Sequence, residues 1–151
     1  MVCTFVAQYT YTKTAQSSAT WTVNIDPPQE IGGKECVLKL VSAETSPVTA
    51  VNRVPCVVSI SNLTQSKSRL TQFISTATSE TNSDPVNNTT VGFLAINNTS
   101  AINNPSIHCF IPESPQQWTI NVTQVDPTTA YLGGANFSMV LIFQVSPISK
   151  A

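Results

Sequence analysis

The side chains that could carry out acid–base or metal chemistry are few in this sequence and lie far apart. His108 is the only histidine among the 151 residues, so a catalytic triad or a histidine-based metal site has a single anchor. His108 alternates with Ile107 and Cys109, which predicts a strand histidine at a surface or packing position. A cupin-type metal site needs several histidines, and the sequence lacks them. We expect no catalytic residue, no metal ligand and no cofactor.

The acidic residues follow the chemistry of turns. Asp26, Asp84 and Asp126 each precede a proline, a combination typical of turns. A glycosidase needs two carboxylates facing one cleft; the sequence leaves that arrangement open without favouring it. The glycine pairs at 32–33 and 133–134 lack the lysine and the strand–helix context of a phosphate loop. The sequence therefore predicts a protein that is not an enzyme.

The four cysteines are predicted to be reduced core residues. Each has apolar neighbours two positions away, on the same face of a predicted strand, and free cysteine behaves as a small buried hydrophobe. No pair has zinc-ligand spacing. Two disulfides would be the alternative in a secreted protein, but no signal peptide is visible. These cysteines are Cys3, Cys36, Cys56 and Cys109.

Asparagine and threonine are abundant, so glycosylation sequons arise readily. Without a visible signal peptide, we interpret most of them as unused. Two polar loops, 75–88 and 97–105, are the predicted exposed tips and could carry modifications or partner contacts. The N-x-S/T sequons begin at Asn62, Asn87, Asn88, Asn97, Asn98, Asn121 and Asn136.

The composition excludes several classes of partner. Charged residues make up 10% of the chain, against roughly 25% in an ordinary soluble domain. Burial by neighbouring subunits, glycosylation, or a neutral threonine-rich exterior would each explain this deficit. The net charge is −1 and no basic cluster exists, so we expect no direct nucleic-acid binding. No apolar run reaches the roughly 20 residues of a membrane helix, so we expect no membrane insertion.

Short runs of alternating residues predict eight or nine strands and a single domain, 1–151. Before residue 106, the predicted strands are 2–12, 19–25, 35–43, 48–54 continued by 56–61 with an edge or a bulge at Pro55, 70–76 and 90–96. Eight strands with some long connections favour an all-β, antiparallel jelly-roll sandwich of two four-stranded sheets over an immunoglobulin-like fold.

The segment 106–146 is predicted to organise the core. It reads as a short strand, a kink and then a long hairpin, with a loop between its two arms. Trp118, Ile120 and Val122 alternate with polar residues in the first arm. The second arm is apolar on one face, from Phe137 to Val145, and mixed on the other. We therefore expect a central strand that is covered on both sides.

The same segment resembles the end of single jelly-roll capsid proteins, specifically the penton and minor capsid proteins of nucleocytoplasmic large DNA viruses and virophages. The resemblance lies in SIHCFIP, then WTINVTQVD, then a glycine-containing loop, then Asn136-Phe137-Ser138 followed by MVLIFQV. It covers about a quarter of the chain. It implies an eight-stranded jelly roll that forms a pentamer at the fivefold vertices of an icosahedral virion, without catalytic residues.

The family's partners would be the major capsid protein and other minor capsid proteins, with synthesis in the host cytoplasm. Many relatives carry an extra domain, which 151 residues do not accommodate, so a minor cement protein of the same shell is an alternative. A jelly-roll or tumour-necrosis-factor-like module that binds a receptor or a glycan through loops 75–88 and 97–105 is a further alternative. The subunit interface and the oligomeric order do not follow from the sequence.

Overall fold

Residues that alternate between apolar and polar form the strands, since successive side chains of a strand point to opposite faces. The computed structural model describes residues 2–11, 16–45, 54–65, 89–96, 104–126, 128, 130–132 and 137–148. Nine strands are present within these ranges. They are β1 (Cys3–Tyr11), β2 (Ser18–Ile25), β3 (Lys34–Thr45), β4 (Val54–Ile60), β5 (Thr64–Gln65), β6 (Thr90–Ile96), β7 (Ile107–Ile111), β8 (Gln116–Gln124) and β9 (Phe137–Pro147).

The strands form two antiparallel sheets. Sheet one has the order β1-β9-β3-β7-β5, and sheet two has the order β2-β8-β4-β6. The predicted all-β sandwich of two four-stranded sheets is confirmed for the eight longer strands, and the two-residue β5 extends sheet one. The pairs are nested along the chain: β1 with β9, β2 with β8, β3 with β7, and β4 with β6.

The core lies between the two sheets and receives one face of each long strand. Trp118 of β8 is 1% exposed and meets Phe143 of β9 edge-on, with ring centroids 6.5 Å apart. Phe5 of β1, the cross-strand partner of Phe143, also packs against Trp118, with ring centroids 5.6 Å apart. Since Trp118 belongs to sheet two and both phenylalanines belong to sheet one, these rings join the sheets across the interior.

The predicted hairpin between the two arms of segment 106–146 is wrong. Both arms are strands, but β8 lies in sheet two between β2 and β4, whereas β9 lies in sheet one between β1 and β3. The two arms therefore belong to different sheets and do not pair with each other. The alternation of apolar residues correctly predicts which face of each arm is buried. It does not determine which strand pairs with which.

The central position predicted for β9 is confirmed, but its expected cover on both sides is not. Phe137, Met139 and Leu141 are buried on the inner face. On the outer face, Val140 and Ile142 are only half-buried, because no described residues form a further layer outside sheet one.

The edge or bulge predicted at Pro55 is also wrong. β4 lies inside sheet two, between β8 and β6, and its shift in register falls between Val58 and Ser59. Pro55 is tolerated because it precedes Cys56, where the β4–β8 ladder begins. The predicted strands 48–54, apart from Val54, and 70–76 lie outside the described residues.

The buried side-chain amide of Asn104 connects the two sheets at the β6 edge of the sandwich. The Oδ1 of Asn104 accepts the backbone N–H of Phe93 at 2.8 Å, and its Nδ2 donates to the Phe93 carbonyl at 3.1 Å. The same Nδ2 donates to the carbonyl of Leu40 in β3, at 3.2 Å. Asn104 thus occupies the place of a further strand beside β6 and ties the two sheets together. The expectation that 97–105 is an exposed tip fails at Asn104, which is buried.

Candidate functional site

His108 lies on the outer face of sheet one, as predicted for a strand histidine. Its side chain is half-buried, and its strand neighbour across the β3–β7 pair is Val37. The inward positions on either side, Ile107 and Cys109, are buried. Among the described residues, no group of three or more histidines, cysteines and carboxylates could hold a metal ion.

Three of the four cysteines are buried, and all four are free thiols, as predicted. Cys36 and Cys109 face each other across β3 and β7, and neither is exposed to solvent. Burial raises the pKa of Cys56 and of Cys109 to about 12 and also raises the pKa of Cys36. Since the thiolate is the nucleophile, these three thiols are poorly suited to covalent chemistry near neutral pH.

Asp126 forms a turn, as the sequence predicts, and the first glycine pair lies in the turn before β3. The carboxylate of Asp126 accepts the backbone N–H of Thr128 at 3.1 Å, and this bond lowers the pKa of the carboxyl. Gly33 has φ of 72°, and its N–H donates to the Ile111 carbonyl at 2.6 Å, which attaches the turn before β3 to the end of β7. Asp84 and the pair 133–134 lie outside the described residues.

Both described sequon asparagines already use their side-chain amides. The Nδ2 of Asn121 donates to the Ser61 hydroxyl at 2.6 Å, and its Oδ1 accepts the Thr20 hydroxyl at 2.7 Å. The Oδ1 of Asn62 accepts the N–H of Thr119 at 2.8 Å, and its Nδ2 donates to the carbonyl of Gln117. These bonds hold the turn after β4 against β8. The remaining sequons, like loop 75–88 and residues 97–103, lie outside the described residues.

A shallow, amide-lined groove lies where β2 ends and β8 begins. Its volume is about 600 Å³. Gln117 donates to the Oδ1 of Asn24 at 3.1 Å, and the neighbouring Gln116 has a buried Nε2 with no hydrogen-bond partner. Among the described residues that line the groove, Asp26 supplies the single carboxylate. Such a lining offers donors and acceptors to a neutral, hydroxyl-rich ligand. Sequence patterns do not predict this groove, because its residues come from three separate segments.

The outer face of sheet two is uncharged across β2, β8 and the end of β4. Hydroxyl and amide side chains alternate with the buried ones, so this surface, which we call the polar face, carries both donors and acceptors. Its members are Ser18, Thr20, Thr22, Asn24, Ser59, Ser61, Gln117, Thr119, Asn121 and Thr123.

The outer face of sheet one is more apolar. Val2 and Val6 are 55% and 58% exposed, and Ile142 lies beside Val6 in the β1–β9 pair. Val37 and Phe110 add two half-buried apolar side chains on β3 and β7.

The described part of the chain contains no helix with the length and hydropathy that crossing a bilayer requires. Comparisons with protein-family models, with curated proteins and with solved structures find no match to this chain.

Proposed function

We propose that this chain is a structural capsid protein that forms the penton, a pentamer at the fivefold vertices of an icosahedral double-stranded DNA virus. In this proposal it folds as a single jelly roll and contacts the major capsid protein and other minor capsid proteins. Its role is structural rather than catalytic. The observation that carries the proposal is the nested order of the strands.

The strand order supports a jelly roll. Counting only the eight longer strands, the first pairs with the last, the second with the seventh, the third with the sixth, and the fourth with the fifth. Successive pairs alternate between the two sheets. This is the arrangement of two interleaved Greek keys, the architecture of many viral capsid and lectin domains. The order therefore favours a shell protein or a binding module.

The chemistry of the surface favours a shell protein over a binding module. The polar face carries no charge, and β1 and β2 contain no charged residue. Interface cores are depleted in charge, so broad uncharged surfaces suit a subunit that is covered by its neighbours. The resemblance of segment 106–146 to penton and minor capsid proteins points the same way.

Two measurements test this proposal. The purified protein is expected to have a native mass five times the 16.2 kDa of the chain. A cryo-EM map of the parent particle is expected to place the chain at the fivefold vertices. Density between major capsid trimers, away from the vertices, would assign the cement role in its place. A stable monomer that is absent from every particle would contradict both roles.

The amide-lined groove favours a second candidate, a receptor- or glycan-binding module. Asn24, Gln117 and the Gln116 amide offer the neutral hydrogen-bonding groups that sugars require. A glycan array is the direct test, with Asn24→Ala as the variant expected to lose binding. Thr22→Ala, one exposed position away from the groove, is the matched control. An array without hits would rule this candidate out.

A further inference from the structure

Among the residues that the structure describes, nothing pairs with the outer edge of β1 or of β2, so the sandwich is open along the side formed by these two strands. Each is an edge strand of its sheet, and within the described residues β9 is the only strand paired with β1. The β1–β9 register runs without interruption from Cys3 to Tyr11, so the opposite edge of β1, over residues 3–8, presents a regular row of backbone donors and acceptors.

This open side lacks the features that usually protect sheet edges. Natural edge strands carry lysine, proline or a bulge, or they are covered by another element. Segments 2–11 and 18–25 contain no charged residue and no proline, and neither strand pair shows a register shift. The opposite side differs, because the Asn104 side chain hydrogen-bonds both the N–H and the carbonyl of Phe93 on β6. It also donates a hydrogen bond to the Leu40 carbonyl of β3.

The core is also incompletely covered along this side. Cys3 and Phe5 of β1 and Trp21 and Val23 of β2 face the interior, yet they are only half-buried. The corresponding positions of β8 and β9, one strand further in, are fully buried. An occupant of this side would therefore gain both backbone hydrogen bonds and apolar contact.

We propose that β1 of a second copy of this chain adds antiparallel to the edge of β1, so that two sandwiches share one continuous sheet. The occupant must be extended and must bring an apolar residue to the core side at every second position. β1 itself meets these requirements through Cys3, Phe5 and Ala7. Antiparallel pairing of a strand with its own copy is isologous, so one surface serves both partners.

The pairing brings the outer face of each β1 close to the two-fold axis. Val6, which is 58% exposed, lies near the middle of the shared edge and adds apolar contact there. This inference does not depend on the proposed capsid role. A ring of five uses head-to-tail contacts, whereas this contact joins two copies, whether they stand alone or belong to adjoining rings.

Sedimentation and native mass measurements over a range of protein concentrations test the pairing, with Val6→Glu as the variant. The wild-type protein is expected to associate further as its concentration rises: single chains would double their mass of 16.2 kDa, and rings of five would join to one another. Val6→Glu places like charges across the shared edge, and we expect the dissociation constant to rise about tenfold or more. Gln144→Glu is the matched control, because Gln144 is exposed on the same outer face but lies on β9 beside Lys39. Its dissociation constant is expected to stay unchanged.

Hydrogen exchange gives a second readout that needs no variant. Backbone amides within residues 3–8 that point away from β9 are expected to gain protection as the wild-type protein is concentrated. A protein that stays monomeric at high concentration, or a dimer that Val6→Glu leaves intact, would overturn the inference. A ring of five that survives Val6→Glu, without protection of these amides, would support the proposed function and overturn the pairing. A dimer lost in Val6→Glu, from a chain absent from every particle, would support the pairing and contradict the proposed function.

Discussion

Asn104 provides the sharpest test of how the sandwich is held together. Its side chain makes three hydrogen bonds, to Phe93 N, Phe93 O and Leu40 O, and it is buried. Asn104→Ala removes all three and leaves backbone groups of β6 and β3 without these partners. At about 1 kcal/mol for each bond, the free energy of unfolding is expected to fall by about 3 kcal/mol. For a chain of this length, that corresponds to a melting temperature lower by about 6–12 °C.

Urea unfolding followed by the fluorescence of Trp21 and Trp118 measures this loss, because both indoles pack at the core. Asn24→Ala is the matched control. Asn24 is exposed and accepts one hydrogen bond, from Gln117, so its removal is expected to cost about 0.5 kcal/mol or less. If Asn104→Ala lowered the free energy of unfolding no more than Asn24→Ala does, the idea that Asn104 holds the two sheets together at β6 would be refuted.

A double-mutant cycle with Gly92 makes the test more specific. A Cβ added at Gly92 would lie 3.0 Å from Cγ of Asn104. Gly92→Ala alone is therefore expected to cost about 1–2 kcal/mol, because the buried amide has little room to shift. In the Asn104→Ala background the crowding atoms are gone, so Gly92→Ala is expected to cost about 1 kcal/mol less. Strictly additive costs would show that the two side chains do not meet as described.

Two further predictions concern a turn and the buried thiols. Gly33→Ala is expected to destabilise the fold by about 1 kcal/mol more than Gly32→Ala in the same urea assay, because Gly33 has φ of 72°. Equal effects at the two positions would contradict this reading of the turn. Burial raises the pKa of Cys56 and Cys109 from 9.0 to about 12, so between these pH values the unfolded chain loses thiol protons that the folded chain keeps. The free energy of unfolding is therefore expected to fall as pH rises above 9.0, by about 1.4 kcal/mol per thiol for each pH unit, and to fall less steeply in Cys56→Ala. A stability that stays level from pH 9.0 upward would contradict the burial of these thiols.

Local alternation predicted most strands and their buried faces. In β1, Ala7 is buried and Val6 is exposed, as alternation requires, because the two faces of a strand meet different surroundings. β7 was predicted in the same way from its apolar alternate residues. Its cysteine was also predicted correctly, because a free thiol packs as a small apolar group.

Strand neighbours could not be predicted by the same reasoning. Trp118 and Phe143 would lie on the apolar faces of their strands in the same way whether these strands were adjacent in one sheet or faced each other across the core. The pairing depends on the whole set of strands, so the predicted hairpin failed.

Two further features depend on contacts between residues that are distant in sequence. Asn104 reads as a loop residue, since asparagine favours turns, and its burial follows from the unpaired edge of β6. The amide-lined groove likewise assembles from Asn24, Asn62 and Gln117, whose proximity depends on the register between β2 and β8 and on the turn after β4.

The nested pairing also determines when the fold can be completed. The pair β4–β6 encloses the shortest stretch of chain, whereas Cys3 must find Val145 near the other end. Closing larger loops costs more entropy, and folds dominated by such distant pairs fold slowly. We therefore expect the pairs to form from the inside outward, with β1 joining late. During synthesis β1 emerges long before β9 exists, so its apolar face is exposed to chaperones, or to the strands of other nascent chains, until the last strand is made.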